Sequence, residues 1–401
     1  MLKRERYLKK IRPNYHQDLI KVITGVRRCG KSVLLRQIID ELRASGINDE
    51  RIVYLNFEDF DNQVYTDPQT LHQFLKERVT TKGRYYLFFD EVQEVREFER
   101  IINSWRSTHG CSIFITGSNS KLLSGELATY LSGRTMSWQL SPFSFSEFVQ
   151  WHHTGADLGQ LFEEYLTWGG FAQVYQNDDF DSRATKLRDL YDQIVLKDII
   201  QREKIKNIEL LNRVAWFMLE NIGNLISANS LATFLKNERL SVTVDTILNY
   251  MCYLDQAMIF SRVRRFDLKG RSVMRTMDKQ YVSDLGFLQL KNSQLEINRS
   301  GRLENIVYNE LRSRGSEVLV GKTKMGEIDF VVRGFGGGLE YYQVTSSLAD
   351  EAVMRREFGA FAGIGDNFPK TVLSLDQGDY SHQGYRHFNL ISWLLTPPSE
   401  N

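Results

Sequence analysis

Covalent and membrane restraints are largely missing from this chain. Three cysteines occur in 401 residues, Cys29, Cys111 and Cys252. They stand far apart with no C-x-x-C pair, which argues against a disulfide framework and a cysteine zinc site. Scattered thiols suit a reducing compartment, so a cytoplasmic location is expected. Met1 to Tyr7 is charged and lacks an apolar core, so no secretory leader is expected. No run of about 18 apolar residues occurs, and no transmembrane helix is expected. Prolines number only six. Little room is left for Pro-rich spacers, and domains should pack together or be joined by helices. Repeats and low-complexity tracts are absent. Net charge is nearly absent too: 51 Lys and Arg oppose 50 Asp and Glu. That balance argues against a uniformly basic polyanion binder, although a local basic patch is compatible with it.

What is present is ordinary for a globular protein, with 42% hydrophobic and 25% charged residues. The length suits two or three domains. Leu19 to Thr24 is short, apolar and β-branched, the pattern of a buried strand. It runs into Gly25-Val26-Arg27-Arg28-Cys29-Gly30-Lys31-Ser32, a complete G-x-x-x-x-G-K-S. From Ser32 to Arg43 the apolar residues Val33, Leu34, Ile38 and Leu42 recur near the helical period. Strand, glycine-rich loop and helix together form the context of a phosphate loop. The glycines let the backbone curl so that its N–H groups face phosphates. The helix start adds its positive dipole end. Lys31 is expected on the β- and γ-phosphates and Ser32 on Mg²⁺.

A second feature supports the first. Tyr85 to Phe89 is an apolar strand ending in Asp90 and Glu91. Asp90 is the expected Mg²⁺ partner and Glu91 the residue that polarises the attacking water. Two further strands fit the same sheet, Arg51 to Phe57 and Ser112 to Thr116. The second ends in Gly117-Ser118-Asn119-Ser120. Asn119 is the candidate sensor of the γ-phosphate, with Ser118 the alternative and a plain polar turn the competing explanation. A helix over 122–131 and a fifth strand from Arg134 to Leu140 complete the pattern.

These motifs resemble the AAA-type P-loop ATPases. More narrowly, the chain is similar to bacterial and archaeal AAA-like ATP-binding proteins with a C-terminal domain of uncharacterised function. The resemblance rests on Gly25–Ser32, Asp90-Glu91, Thr116–Ser120 and Leu131-Ser-Gly-Arg-Thr135. Ser141-Pro-Phe-Ser-Phe-Ser-Glu-Phe148 and Trp168-Gly-Gly-Phe171 also belong to it. It implies ATP binding and hydrolysis but names no cellular substrate. Arg134 sits where such ATPases place an arginine finger, which would act in trans and need an oligomer. Pairing with Glu126, or capping of the preceding helix, is the competing role.

Gly159 to Ile205 is helix-rich and interrupted at Trp168-Gly169-Gly170. The resemblance makes it a lid, with Arg183 and Arg188 as lid candidates. Leu210–Asn221 reads as a helix. Ser230 reads as the N-cap of a second helix over Leu231–Lys236. Ser241 or Thr243 opens a third, ending near Asp255. Strands at Ala257–Phe266 and Val273–Val282 follow. Three helices and a hairpin form a winged-helix pattern. Its tip carries Arg262, Arg264, Arg265, Lys269, Arg271 and Arg275 against Asp267 alone. Such a wing suits phosphate contacts. The third helix has no Lys or Arg from Val242 to Asp255, which argues against base reading in a major groove. A packing or protein-docking module is the competing explanation.

The last quarter alternates a helix bearing Glu304, strands near Glu317–Gly321, Glu327–Arg333 and Leu339–Thr345, a helix from Asp350, and a strand at Thr371–Leu375. That order resembles the PD-(D/E)XK nuclease core, whose acids bind Mg²⁺ and activate water. Asp329 fits the first acid and Gln343 the second. Thr345 stands where the lysine belongs, and a hydroxyl brings no positive charge to the reaction. Lys322 or Lys324 would have to migrate into the site. The expected domain is a degenerate nuclease fold used for binding or assembly, with Glu304 and Asp329 open to a purely structural role.

The expected fold is α/β: a P-loop core with a parallel five-stranded sheet (1–150), a helical lid (151–205), a winged helix (206–290) and a nuclease-like domain (291–401). The expected catalytic set is Lys31, Glu91, Asn119 and Arg134. Nucleotide contacts are expected from Gly25, Val26, Arg27, Arg28, Cys29, Gly30, Lys31, Ser32 and Val33, with Mg²⁺ on Ser32 and Asp90. Cys29, lying in the loop, is expected to be open to oxidation or alkylation. The expected activity is ATP hydrolysis coupled to a macromolecular partner, DNA through 261–275 among them. An active C-terminal nuclease or a slow nucleotide switch on a protein partner are the rivals.

Overall fold

The computed structural model describes residues 2–80, 83–120, 133–152, 155–176, 179–240, 242–270, 272–273, 278–291, 298–324, 326–334 and 337–397. The expected helix over 122–131, Glu126, Ser241, Arg271 and Arg275 lie outside the described residues. The chain divides into two compact units: Met1–Ser141 with Gln256–Met258, and Pro142–Asp255 with Ile259–Asn401.

The first unit is a parallel sheet with helical crossovers. Helix α1 (Glu5–Ile11) precedes strand β1 (Ile20–Thr24), helix α2 (Lys31–Ala44) and strand β2 (Ile52–Asn56). Helix α3 (Pro68–Arg78), strand β3 (Tyr86–Asp90), helix α4 (Phe98–His109) and strands β4 (Ser112–Gly117) and β5 (Thr135–Gln139) follow. The spatial order is β2-β3-β4-β1-β5, every pair parallel. β1, β3 and β4 are buried along their whole length, as the interior strands of a parallel sheet covered on both faces must be. One face packs Ile20, Val22, Leu87, Phe89, Ile113 and Ile115 against Leu71, Leu75, Ile102 and Trp105 from α3 and α4. Parallel strands share their carboxyl ends, and that is where ligands bind in such sheets.

The second unit begins with helices α5 (Phe145–His152), α6 (Leu158–Trp168) and α7 (Phe180–Ile194). The π-helical stretch Val195–Gln201 extends α7. The Trp168-Gly169-Gly170 interruption has a steric cause. Gly169 adopts φ +74°, and a Cβ there would overlap the Asp284 carboxylate. A Cβ on Gly170 would meet the Phe143 backbone. The close approach lets Asp284 accept hydrogen bonds from Gly170 N–H at 2.7 Å and Gly286 N–H at 2.9 Å. Arg183 is also committed here. It bonds Glu164 at 2.6 Å and lies over the rings of Trp168 and Tyr175. It is thus buried packing inside this unit rather than a free lid arginine, whereas Arg188 is exposed.

Helices α8 (Ile208–Glu220), α9 (Ala228–Asn237) and α10 (Val244–Gln256) follow, with strand β6 (Leu225–Ile226) between the first two. The cap of α9 differs from expectation. Ser227 is the N-cap, and Ser230 is the reciprocal partner of a capping box, so the helix starts three residues earlier. The expected hairpin is also not one ladder. Strand β7 (Phe260–Val263) pairs with strand β10 (Asp278–Val282), which also pairs with β6. The intervening strands β8 (Arg265–Asp267) and β9 (Ser272–Val273) leave that sheet. They join the seven-stranded sheet β15-β14-β13-β12-β11-β8-β9. The described part of the wing tip is therefore a sheet edge rather than a free loop. The backbone explains the split: β8 pairs in parallel with β11, and Arg264 has its carbonyl bonded to Val320 N–H at 3.0 Å.

The remaining elements are helix α11 (Arg299–Ser313), strands β11 (Glu317–Lys322), β12 (Glu327–Arg333) and β13 (Leu339–Val344), helix α12 (Glu351–Gly359), strands β14 (Lys370–Ser374) and β15 (Arg386–Asn389), and helix α13 (Leu390–Leu395). Their core joins Phe266, Leu319, Ile328, Val331, Tyr341, Phe358, Phe361 and Val372. No described helix is long and apolar enough to cross a membrane.

Two outcomes follow from the Gly169–Asp284 junction. Gly169→Ala combines overpacking with a left-handed backbone, about 2–4 kcal/mol, so calorimetry should show a Tm lower by several degrees. Burial pushes the Asp284 carboxyl up to about 7. A raised acid stabilises the fold below its unfolded value near 4, and that contribution is lost as pH rises through about 7. The Tm advantage of wild type over Asp284→Asn should therefore be larger at low pH than above neutrality. An advantage independent of pH would contradict this.

Candidate functional site

The phosphate-loop motif folds at the carboxyl end of β1. Gly25 is required by contact: a Cβ there would overlap the Leu140 carbonyl and meet Cys29 Sγ at 2.7 Å. Gly30 adopts φ +103° as the N-cap of α2, where an L side chain is strained. Lys31 opens the helix, with Ser32 and Val33 beside it and partly exposed. Arg28 is exposed in a left-handed conformation, φ 68°. Val26 is buried, and Arg27 reaches Glu58 beyond β2 at 2.8 Å.

Lys31 is buried, and its ammonium has two partners. It donates to the Gly25 carbonyl at 3.1 Å and pairs with Glu91 Oε1 at 3.1 Å. Burial opposes both charges, yet each charge holds the other. The Glu91 carboxyl stays below its ordinary value, helped by Gln93 Nε2 donating at 2.7 Å, and the Lys31 ammonium is raised. Removing one partner of such a pair strands a buried charge, at about 3–5 kcal/mol. Glu91 also has φ 53°, a strained conformation for a side-chain-bearing residue, of the kind that gathers at functional sites.

Asp90 is fully buried and bonded on both oxygens. Tyr54 Oη donates to Oδ2 at 2.8 Å, and Thr116 Oγ1 donates to Oδ1 at 2.5 Å. Thr116 Oγ1 also accepts from Glu91 N–H at 2.9 Å. The pairing of β3 with β2 and β4 sets these contacts: Asn56 lies opposite Asp90, and Phe89 opposite Ile115. Ser118 and Asn119 are buried just beyond β4. Lys31, Asp90 and Glu91 are thus brought to one end of the sheet, with Ser118 and Asn119 in the turn that follows the neighbouring strand β4.

Arg134 is at the other end. It precedes β5, and its carbonyl accepts from Ile20 N–H at 2.8 Å at the start of β1. Its exposed guanidinium donates to Asn103 Oδ1 at 3.1 Å. A five-residue strand of about 13–17 Å separates that end from the loop. Arg134 therefore does not serve the phosphate loop of its own chain.

Tyr54 and Arg4 escape the motif reading, and Thr116, although part of the Thr116–Ser120 motif, receives no role in it. Thr116 and Tyr54 have a findable signal, since each lies near the carboxyl end of a strand flanking β3. Arg4 has none. It is 2% exposed and donates to the Cys29 carbonyl at 3.1 Å and the Ser141 carbonyl, 137 positions away, at 2.9 Å. The guanidinium thereby ties the loop to the segment after β5. Cys29 corrects an expectation: its side chain points inward against Gly25, is buried, and burial pushes its thiol up. Thiolate chemistry needs exposure and a depressed value, so this thiol is protected.

Residues 17–149 match the family model of an AAA domain, and residues 159–296 match that of a domain of unknown function. The chain is similar to an uncharacterised protein of Haemophilus influenzae, 36% identical over 98% of this chain and 99% of that one. An uncharacterised protein of Methanocaldococcus jannaschii is 32% identical over 91% of this chain and 83% of its own length. Among solved structures, a Walker-type ATPase of Pyrococcus abyssi aligns with TM-score 0.50 and 12% identity. The alignment covers 73% of this chain and 96% of that one, a likeness of fold. Parallel strand order and family model agree on a P-loop NTPase core.

The thiols give a direct check. Cys252 is exposed, while Cys29 and Cys111 are buried with their thiols pushed up. Titration of the native protein with a thiol reagent should count one fast group, and three after denaturation. A second fast group that disappears in Cys29→Ser would contradict the inward Cys29.

Proposed function

The chain belongs to the family of its Haemophilus influenzae and Methanocaldococcus jannaschii relatives, with an AAA domain at residues 17–149, and on that premise we propose that it binds ATP with Mg²⁺ and hydrolyses it. The observation that carries the reading is the buried Lys31–Glu91 pair beside Asp90, at the carboxyl ends of parallel strands. The donor set fits the implied ligands. A backbone curled around Gly25 and Gly30 suits phosphate oxygens, and Ser32 with Asp90 are oxygen donors suited to Mg²⁺. Bound Mg²⁺ would neutralise charge on the β- and γ-phosphates.

The protein's own groups divide the work. The γ-phosphate competes with Glu91 for the Lys31 ammonium, since both are anions seeking one cation. Released, Glu91 becomes the acceptor for a proton from the attacking water. Gln93 orients it, and Thr116 holds its backbone. Tyr54 and Thr116 fix the Asp90 carboxylate. Asn119 is assigned the γ-phosphate contact. Arg134, remote from its own loop, acts in trans if subunits associate. The Lys31–Glu91 pair also supports a slow-switch reading, since Glu91 must leave Lys31 before it can take a proton, and hydrolysis would then time the engagement of a partner.

For the rest of the chain, residues 151–205 are read as the lid and 206–290 as a winged helix. Residues 291–401 are read as a nuclease-like fold without the nuclease. The basic stretch 261–275 is where a polyanion such as DNA would bind. A protein partner is the other possibility the reading carries.

Steady-state phosphate release, with and without duplex DNA, tests this. Glu91→Gln should lower turnover by about a hundredfold or more while ATP still binds. Arg134→Ala should lower turnover only where sedimentation shows an ATP-dependent oligomer. Turnover unchanged in Glu91→Gln would refute the assignment of the base. DNA that neither binds nor stimulates would remove the nucleic-acid reading.

A further inference from the structure

In the second unit a cavity of about 590 Å³ is lined by Glu304, Glu327, Asp329, Gln343, Arg356 and Glu357, among others. The acids come from α11, β12 and α12. A nuclease-like fold implies a divalent metal among Glu304, Asp329 and Gln343, and the residues present do not fit one. The Gln343 amide is spent at both ends: Oε1 accepts from Asp329 N–H at 2.7 Å, and Nε2 donates to Glu357 at 2.9 Å. Asp329 Oδ2 accepts from Val344 N–H at 2.9 Å. Among the described residues no group of three or more His, Cys, Asp or Glu is arranged to hold a metal ion.

A cation is nevertheless already there. Lys279, on β10, is 4% exposed. Its Nζ lies 2.7 Å from Glu327 Oε1, 3.0 Å from Glu304 Oε2 and 3.8 Å from Asp329 Oδ1. Tyr281 Oη, two residues on, donates to the same Glu304 oxygen at 3.0 Å. Strand alternation puts Lys279 and Tyr281 on one face of β10. Neither Lys322 nor Lys324, the expected migrants, is buried among these acids, because both are exposed.

We propose that Lys279 is the resident cation of the Glu304–Glu327–Asp329 cluster, its ammonium standing in the place of a divalent metal and joining β10 to α11 and β12, while Arg356 serves Glu357 on the far wall of the cavity. The three acids are then a cation-held joint rather than a hydrolytic centre. A buried lysine that lost its partners would shed its proton. Here the three carboxylates outweigh burial and raise it. Without the ammonium, three partly buried carboxylates lose the cation they share, and Ca²⁺ is the ion whose flexible oxygen shell, at about 2.3–2.6 Å, comes nearest to the spacing that the ammonium imposes.

Calorimetric titration of the full chain with Ca²⁺ tests the proposal, and its outcome is independent of ATP hydrolysis. Lys279→Gln is one bond shorter and keeps an amide N–H donor group, but removes the charge. Wild type should take up no Ca²⁺ up to about 1 mM, while Lys279→Gln binds at least about tenfold more tightly. Adding Asp329→Asn should abolish the gain, which separates this cavity from the phosphate loop. Wild type binding as tightly as the variant would overturn the proposal, as would a folded Lys279→Gln with no gain. If Lys279→Gln does not fold alone, Lys279→Gln/Glu327→Gln carries one negative charge fewer and decides the matter. Ca²⁺ raising its Tm supports the proposal, and no response overturns it.

Discussion

The nucleotide-site reading depends on one buried ion pair, Lys31 with Glu91. A buried ammonium and a buried carboxylate are each costly alone. They persist because the sheet brings them within 3.1 Å. The parallel arrangement of β1 and β3 puts both carboxyl ends on one side, and the left-handed turn at Glu91 aims its carboxylate back at the loop. Tyr54 and Thr116 then hold Asp90, and Arg4 holds the loop's carbonyl at Cys29. On the proposed reading the pair is also the point of exchange: an anion arriving at the loop would compete for the same ammonium, so that ligand binding and release of Glu91 would be one event.

The second unit repeats the physics with the opposite outcome. Lys279 is buried among three acids rather than one, and the amide that would complete a metal shell is consumed by Asp329 and Glu357. An ammonium facing a single carboxylate can be traded for a phosphate. One shared by three carboxylates on two elements is locked. That contrast separates the unit read as working on a nucleotide from the cavity read as structural.

Much of the first unit was legible because its cues are local. Five apolar β-branched or aromatic stretches became β1 to β5 within a residue or two, and glycine spacing marked the loop. Glu327–Arg333 was read to its exact ends for the same reason. What escaped was long-range. Arg4 meets Ser141 across 137 positions with no local pattern. Lys279 was a residue of an expected wing strand, and its place on β10, paired antiparallel to both β6 and β7, turns it toward Glu304. The wing failed as a single ladder because β8 found a better partner in β11, some 55 positions later by register. Ser230 misled because both serines of a capping box look like caps. Cys29 misled because loop membership does not say which way a side chain points.

The central claim is that Lys31 is the ammonium that receives the phosphates of ATP. Equilibrium binding of a fluorescent ATP analogue to wild type and to Lys31→Ala, with folding of both verified by circular dichroism, tests it most directly. The account predicts saturable binding to wild type that weakens by at least about tenfold, some 1.4 kcal/mol, in Lys31→Ala. Equal affinity in two folded proteins would contradict it.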